Sequence, residues 1–95
     1  MTEWTVVEGR DKGSIVLYAL STCIHCKKTK ELLNELGVAY KYIFVDLLPE
    51  DELNIFYAEM KKYNPAGSFP TMVINGDKVI VGSRLEEIRE ALNGD

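Results

Sequence analysis

The stretch SIVLYAL, residues 14–20, limits the fold more than any other part of the chain. It is a continuous apolar run with β-branched residues and Tyr18, bounded by Gly13 and Ser21. A strand with one wet face alternates apolar and polar residues, whereas an unbroken run marks a strand buried on both faces. Such a strand needs a packing layer on each side of its sheet. The residues that follow supply one: Thr29, Leu32, Leu33 and Leu36 form an apolar stripe at helical spacing, predicting a helix over residues 24–36 that stops at Gly37.

The rest of the chain repeats this alternation. VAYKYIFVD, residues 38–46, is rich in β-branched and aromatic residues and predicts a second strand. Pro49 suits the first position of a helix, and Glu50, Asp51 and Glu52 suit its positive end. Leu53, Phe56, Met60 and Tyr63 continue at helical spacing until NPAGSFP, residues 64–70, breaks the helix. TMVINGDKVIV, residues 71–81, predicts two strands joined by a tight turn at Asn75-Gly76-Asp77. Ser83 followed by Glu86 reads as a capping box, opening a last helix with Leu85, Ile88 and Leu92 inward. A further short strand is expected around Thr5–Val7.

The order is β-α-β-α-β-β-α. Two strands joined by a helix are parallel with a right-handed crossover, and the hairpin adds an antiparallel pair. The expected fold is α/β: a mixed four-stranded sheet flanked by helices, extended by the short N-terminal strand. With 95 residues, 46% hydrophobic, the whole of 1–95 suits one domain with one modest core. The net charge of −4 argues against a nucleic-acid partner. Apolar runs stay well short of the ~18 residues a membrane helix needs. The opening MTEWTVVEGRDKG lacks the apolar core of a secretory signal, so a cytoplasmic location is expected.

The chain has two cysteines, Cys23 and Cys26, and one histidine, His25, between them. In a reducing compartment a close pair points to catalysis or metal binding more than to a structural disulfide. A disulfide across so short a loop would also restrain little unfolded-chain entropy. Cys23 falls where the buried strand ends and the helix starts, and free N–H groups and the helix dipole there stabilise a thiolate. The thiolate is the attacking species, and this setting in a Cys-x-x-Cys pair lowers the thiol pKa. Cys26, about one turn along, is the more buried partner. Cys23 is therefore the expected nucleophile and Cys26 the resolving thiol. His25, if cationic, adds to the stabilisation and makes the disulfide more oxidising; otherwise it is a solvent-facing bystander. Lys27, Lys28 and Lys30 read as a solvated face.

No resident metal or cofactor is expected. A structural zinc or a mononuclear iron site takes a full set of Cys or His ligands, and this chain offers three candidates crowded into four residues. CIHCK also lacks the histidine that c-type haem attachment needs after the second cysteine. A dimer bridging an iron–sulfur cluster, as in a cluster carrier, is the alternative from a different class. A redox-inert interaction domain is a third.

With a strand, a Cys-x-x-Cys at a helix start and SFPT (68–71) before a hairpin, the chain resembles the glutaredoxin branch of the thioredoxin fold over about residues 14–93. The resemblance implies a cis Pro70 beside the dithiol, with Phe69 offering its backbone N–H and C=O to an extended thiol substrate. It also implies that Gly82, Ser83 and the following helix start receive the γ-glutamyl end of glutathione, with Arg84 as a charged donor. A plain turn at Gly82 and a surface Arg84 are the alternatives. Several positions depart from the family pattern. Leu20 stands where glutaredoxins carry a lysine, Ile24-His25 replaces Pro-Tyr or Pro-Phe, Ser68-Phe69 replaces Thr-Val, and Gly82-Ser83 replaces a double glycine. These departures look closer to NrdH-type redoxins and to glutaredoxin-like proteins of anaerobes. They imply a small monomeric dithiol–disulfide oxidoreductase and electron carrier. Its electrons would come from a dedicated thiol reductase, thioredoxin-reductase-like or ferredoxin-linked, and pass to disulfide-containing client proteins. Ribonucleotide reductase is a candidate client from the family. A glutathione-dependent glutaredoxin is the alternative.

Overall fold

The protein is described by a computed structural model over residues 4–93. Its elements are β1 (Thr5–Val7), β2 (Ile15–Ala19), α1 (Ile24–Leu36), β3 (Tyr40–Phe44), a 3-10 turn (Val45–Leu47), α2 (Glu50–Tyr63), β4 (Thr71–Ile74), β5 (Lys78–Val81) and α3 (Leu85–Asn93). The sheet runs β1-β3-β2-β4-β5. β2 and β3 are parallel across the α1 crossover, and β4 is antiparallel to both β2 and β5.

β2 is a central strand, which explains its unbroken apolar run. Successive side chains point to opposite faces: Ile15, Leu17 and Ala19 join one core with Leu32 and Leu33 of α1 and Ile88 and Leu92 of α3. Tyr18 joins the other, with Ile43, Val73 and Met60 of α2. β4 divides likewise, Met72 and Ile74 to the first core and Val73 to the second. Thus α1 and α3 cover one face and α2 the other.

The expected four strands gain the fifth at the edge. β1 pairs antiparallel with β3, Thr5 opposite Tyr42 and Val7 opposite Tyr40. Trp4 packs edge-on against Tyr18 and Phe56, anchoring this strand over α2. Arg10 then brackets the end of α1: its N–H donates to Gly37 O at 2.8 Å and its Nη2 to Leu36 O at 2.7 Å.

Three boundaries differ from expectation. The strand predicted over 38–46 ends at Phe44, because Asp46 is drawn into hydrogen bonds with Ser21 as the chain leaves the sheet. Pro49 caps α2 from just outside the helix rather than opening it, its carbonyl accepting from Leu53 N–H at 2.7 Å. The predicted capping box does not start α3: the helix begins at Leu85, and Ser83 Oγ meets His25 Nδ1 at 3.0 Å. At the hairpin, Asn75 (φ 55°) and Gly76 (φ 76°) both take the left-handed conformation the predicted tight turn requires.

Candidate active site

β2 is buried on both faces up to Ala19, and its exit loop delivers Cys23 to the cap position of α1. There Cys23 has extended backbone angles (φ −91°, ψ 118°), and its Sγ accepts the Cys26 N–H at 3.2 Å. A helix cap normally uses an oxygen to satisfy one of the free N–H groups. Here sulfur does so, at the positive end of the helix dipole. Cys23 is half-buried, whereas Cys26, one turn further on, is 1% exposed and packs in the α1/α3 core. The Leu20 N–H points at Cys26 Sγ at 3.5 Å. Burial pushes the Cys26 thiol up to about 12, and the adjacent Cys23 sulfur adds to the effect while the Leu20 N–H opposes it. The two thiols are thus unequal by position: one reachable, one held neutral inside.

The Phe69–Pro70 bond is cis, as the resemblance implied. Pro70 is fully buried, and Phe69 packs against both cores, sharing the first with Cys23. Two hydrogen bonds tie the remaining predicted residues to this centre. Gly82, in the left-handed conformation at φ 84°, donates its N–H to Pro70 O at 2.9 Å. Ser83 then reaches His25 across the gap between α1 and α3. The structure therefore links Cys23, His25, Cys26, Phe69, Pro70, Gly82 and Ser83. Arg84 is exposed, with its Nε donating to its own strand at Val81 O, 3.1 Å. Lys27 and Lys28 are exposed as expected, but Lys30 lies over the Tyr42 ring at 3.9 Å from the centroid.

Two features escape sequence inspection. Asn64, read above only as part of a helix break, is a buried organiser of the loop carrying Phe69 and Pro70. Its Nδ2 donates to Ser68 O (3.1 Å), Ser68 Oγ (3.2 Å) and Thr71 Oγ1 (3.0 Å), and its Oδ1 accepts from Ala66 N–H (3.2 Å). The second is Asp46, bonded by both the N–H (2.9 Å) and the hydroxyl of Ser21. Burial acts to raise the Asp46 carboxyl, but these bonds prevail and hold it below its ordinary value. An asparagine after a helix and a serine before a Cys-x-x-Cys are the only signals in the sequence, and neither names its partner.

A sheet of this order, with a Cys-x-x-Cys heading the first crossover helix and a cis-proline opening the neighbouring strand, defines a thioredoxin-fold protein of the thiol–disulfide oxidoreductase class. The family model described as Glutaredoxin matches residues 15–79. The chain belongs to the glutaredoxin family. Among solved structures it is similar to methanoredoxin of Methanosarcina acetivorans, at 52% identity over 88% of each chain with a TM-score of 0.86. It is similar also to a glutaredoxin of Methanosarcina mazei Go1, at 46% identity over 96% of this chain and 88% of that one, TM-score 0.86. A glutaredoxin of Archaeoglobus fulgidus aligns at 34% identity over 84% of this chain and 86% of its own, TM-score 0.79. The search of curated proteins found no match. No helix among the described residues is long and apolar enough to cross a membrane.

Proposed function

We propose that this protein is a dithiol reductase of client protein disulfides in the cytosol, and that a dedicated reductase, rather than glutathione, re-reduces it. The Cys23 thiolate attacks one sulfur of the client disulfide, forming a mixed disulfide and releasing the other client sulfur as a thiolate. Cys26 then loses its proton and attacks Cys23 Sγ, expelling the second client thiolate and closing the Cys23–Cys26 disulfide. Two electrons pass from the protein to the client, and the released thiolates take up protons. The reductase returns the electron pair.

The inequality of the two sulfurs supports these roles. It also orders the steps. Part of what raises Cys26 is the hydrogen bond and charge of Cys23; once Cys23 is in a mixed disulfide that part disappears, and Cys26 ionises more readily when its turn comes. The choice of donor rests on one observation: the α2-side groove that adjoins Leu20, where the family lysine would stand, is lined by Leu20, Asp46 and apolar side chains and holds no cation. A tripeptide with two carboxylates finds nothing to pair with in that groove; the lysines nearest Cys23, Lys27 and Lys30, line the separate α1-side groove. The test is reduction of the oxidised protein by millimolar glutathione coupled to glutathione reductase and NADPH. Little NADPH consumption is expected; ready turnover would overturn the assignment of donor.

A further inference from the structure

Two grooves meet at Leu20, three residues before the nucleophile, and their chemistry differs. On the α2 side a groove of about 190 Å³ is lined by Leu20, Val45, Asp46, Leu53, Tyr57 and Phe69. All but one of these contribute an apolar or aromatic side chain, and Tyr57 stacks on Phe69 with centroids 6.1 Å apart. A cavity of ~150 Å³ accommodates benzene, so this groove has room for one bulky side chain. Its rim is acidic: Asp46 is exposed, and Glu50 and Asp51 stand exposed at the start of α2, one turn before Leu53. The apolar surface continues outward, with Leu47, next to Asp46, 67% exposed, and Ile24, next to Cys23, 59% exposed. On the α1 side a groove of about 280 Å³ shares Leu20 with it and is also lined by Cys23, and its walls include Lys27, Lys30 and Phe44.

We infer that the α2-side groove is a specificity pocket for the client polypeptide, taking a bulky apolar side chain that neighbours the reactive cysteine and carries a basic residue beside it. This rests on the dithiol mechanism proposed above and names the substrate class of the same site. The floor is apolar, so occupancy releases water from both surfaces. The rim is negative, so a basic neighbour is drawn in and an acidic one repelled. Phe69 serves twice: its ring walls the pocket, and its backbone stands next to Pro70 at the dithiol. A side chain in the pocket is therefore delivered with its cysteine near Cys23. The same rim disfavours glutathione, whose two carboxylates outweigh its single ammonium and leave a net negative charge.

The test uses the pre-reduced full chain and short peptides whose single cysteine carries a thionitrobenzoate disulfide. Attack by Cys23 on the peptide sulfur releases coloured thionitrobenzoate, and Cys26 then frees the peptide thiol. Three flanking pairs are compared, Leu/Arg, Leu/Glu and Ala/Ala, each in both chain orders. Every rate is divided by that of the same peptide with a small free thiol, which removes intrinsic reactivity. The better Leu/Arg order should exceed Ala/Ala by about tenfold, the ratio expected when roughly half of a leucine side chain's burial is realised. Leu/Glu should lose most of that advantage at low salt, and added salt should narrow the gap between Arg and Glu. Leu53→Asp should bring the Leu/Arg to Ala/Ala ratio close to one. Equal rates for all three pairs in wild type would overturn the inference, as would an unchanged ratio in Leu53→Asp. The outcome is separable from that of the glutathione assay. Ready glutathione turnover with a tenfold peptide preference would remove only the donor assignment, and poor glutathione turnover with equal peptide rates would remove only the pocket.

Discussion

Replacing Asn64 by aspartate exchanges an amide for a carboxylate of nearly the same shape, at the base of the loop that presents Phe69 and Pro70. Asn64 is 6% exposed. Aspartate keeps the contact to Ala66 N–H but turns the Nδ2 donor, which serves Ser68 O, Ser68 Oγ and Thr71 Oγ1, into an acceptor. The two hydroxyls can rotate to donate, although Thr71 must then abandon Ser68 O, which it now reaches at 2.8 Å. The Ser68 carbonyl cannot adapt and is left facing a carboxylate. A lost hydrogen bond costs about 1 kcal/mol net and an unsatisfied buried acceptor ~1–3 kcal/mol more. The expected loss is therefore about 2–4 kcal/mol at neutral pH. At ~4–8 °C per kcal/mol for a chain of this size, the melting temperature should fall by roughly 10–25 °C.

The same variant carries an internal control. Protonated, the new carboxyl can donate to Ser68 O, so folding favours its protonated form and raises its pKa above the unfolded value of ~3.9. Between those two values the folded state binds more protons than the unfolded one, so stability falls as pH rises and recovers as pH drops. Thermal unfolding at neutral pH and near pH ~5 should show the deficit relative to wild type shrinking in acid. A melting temperature equal to wild type at neutral pH, or a deficit that grows in acid, would refute the hydrogen-bond assignment. Because the loop positions Phe69, reduction of a protein disulfide should suffer more than reduction of a small disulfide.

Two further outcomes follow from the dithiol. Cys26→Ser should accumulate a mixed disulfide between Cys23 and its client, visible as a mass shift of intact protein, whereas Cys23→Ser should form none; mixed disulfide on Cys26 in the second variant would reverse the roles. The reduced protein should also lose stability in alkali. Burial raises Cys26 from 9.0 to about 12, and burial with the nearby Tyr42 raises Tyr40 from 10.0 to about 12. Above pH 9.0 the unfolded chain releases these protons before the folded one, so stability is intact below that point and declines toward pH 12. The oxidised protein, with no Cys26 thiol, should show a shallower decline under denaturant titration, and identical slopes for the two forms would contradict the Cys26 assignment.

Much of this architecture is legible residue by residue because it is written in short-range patterns. The unbroken SIVLYAL run became a central strand with side chains in both cores, and the stripe ending at Gly37 became α1 with the expected limits. Asn75-Gly76 took the left-handed angles that a two-strand hairpin demands. Periodicity of two and of 3.6, and the backbone freedom of glycine and asparagine, act over a few residues and need no partner. The position of Cys23 at a helix start was readable for the same reason.

What local pattern could not supply were contacts whose two halves lie far apart in the chain. Ser83 looked like a cap because a serine three residues before a glutamate has that use in isolation, yet His25, 58 positions away, takes its hydroxyl. The predicted strand at 38–46 lost its end to Ser21, whose N–H and O–H hold Asp46, 25 positions distant. Asn64 gained its role only when Thr71 and Ser68 folded back over it. The α2-side pocket draws its walls from Leu20 just after β2, the turn after β3, α2 and the cis-proline loop. Sequence thus specified the elements, their order and the reactive pair, since each depends on neighbours along the chain. The surroundings of that pair, and hence what reaches it, arose from packing, because hydrogen bonds and apolar walls are made between elements that no local pattern can bring into register.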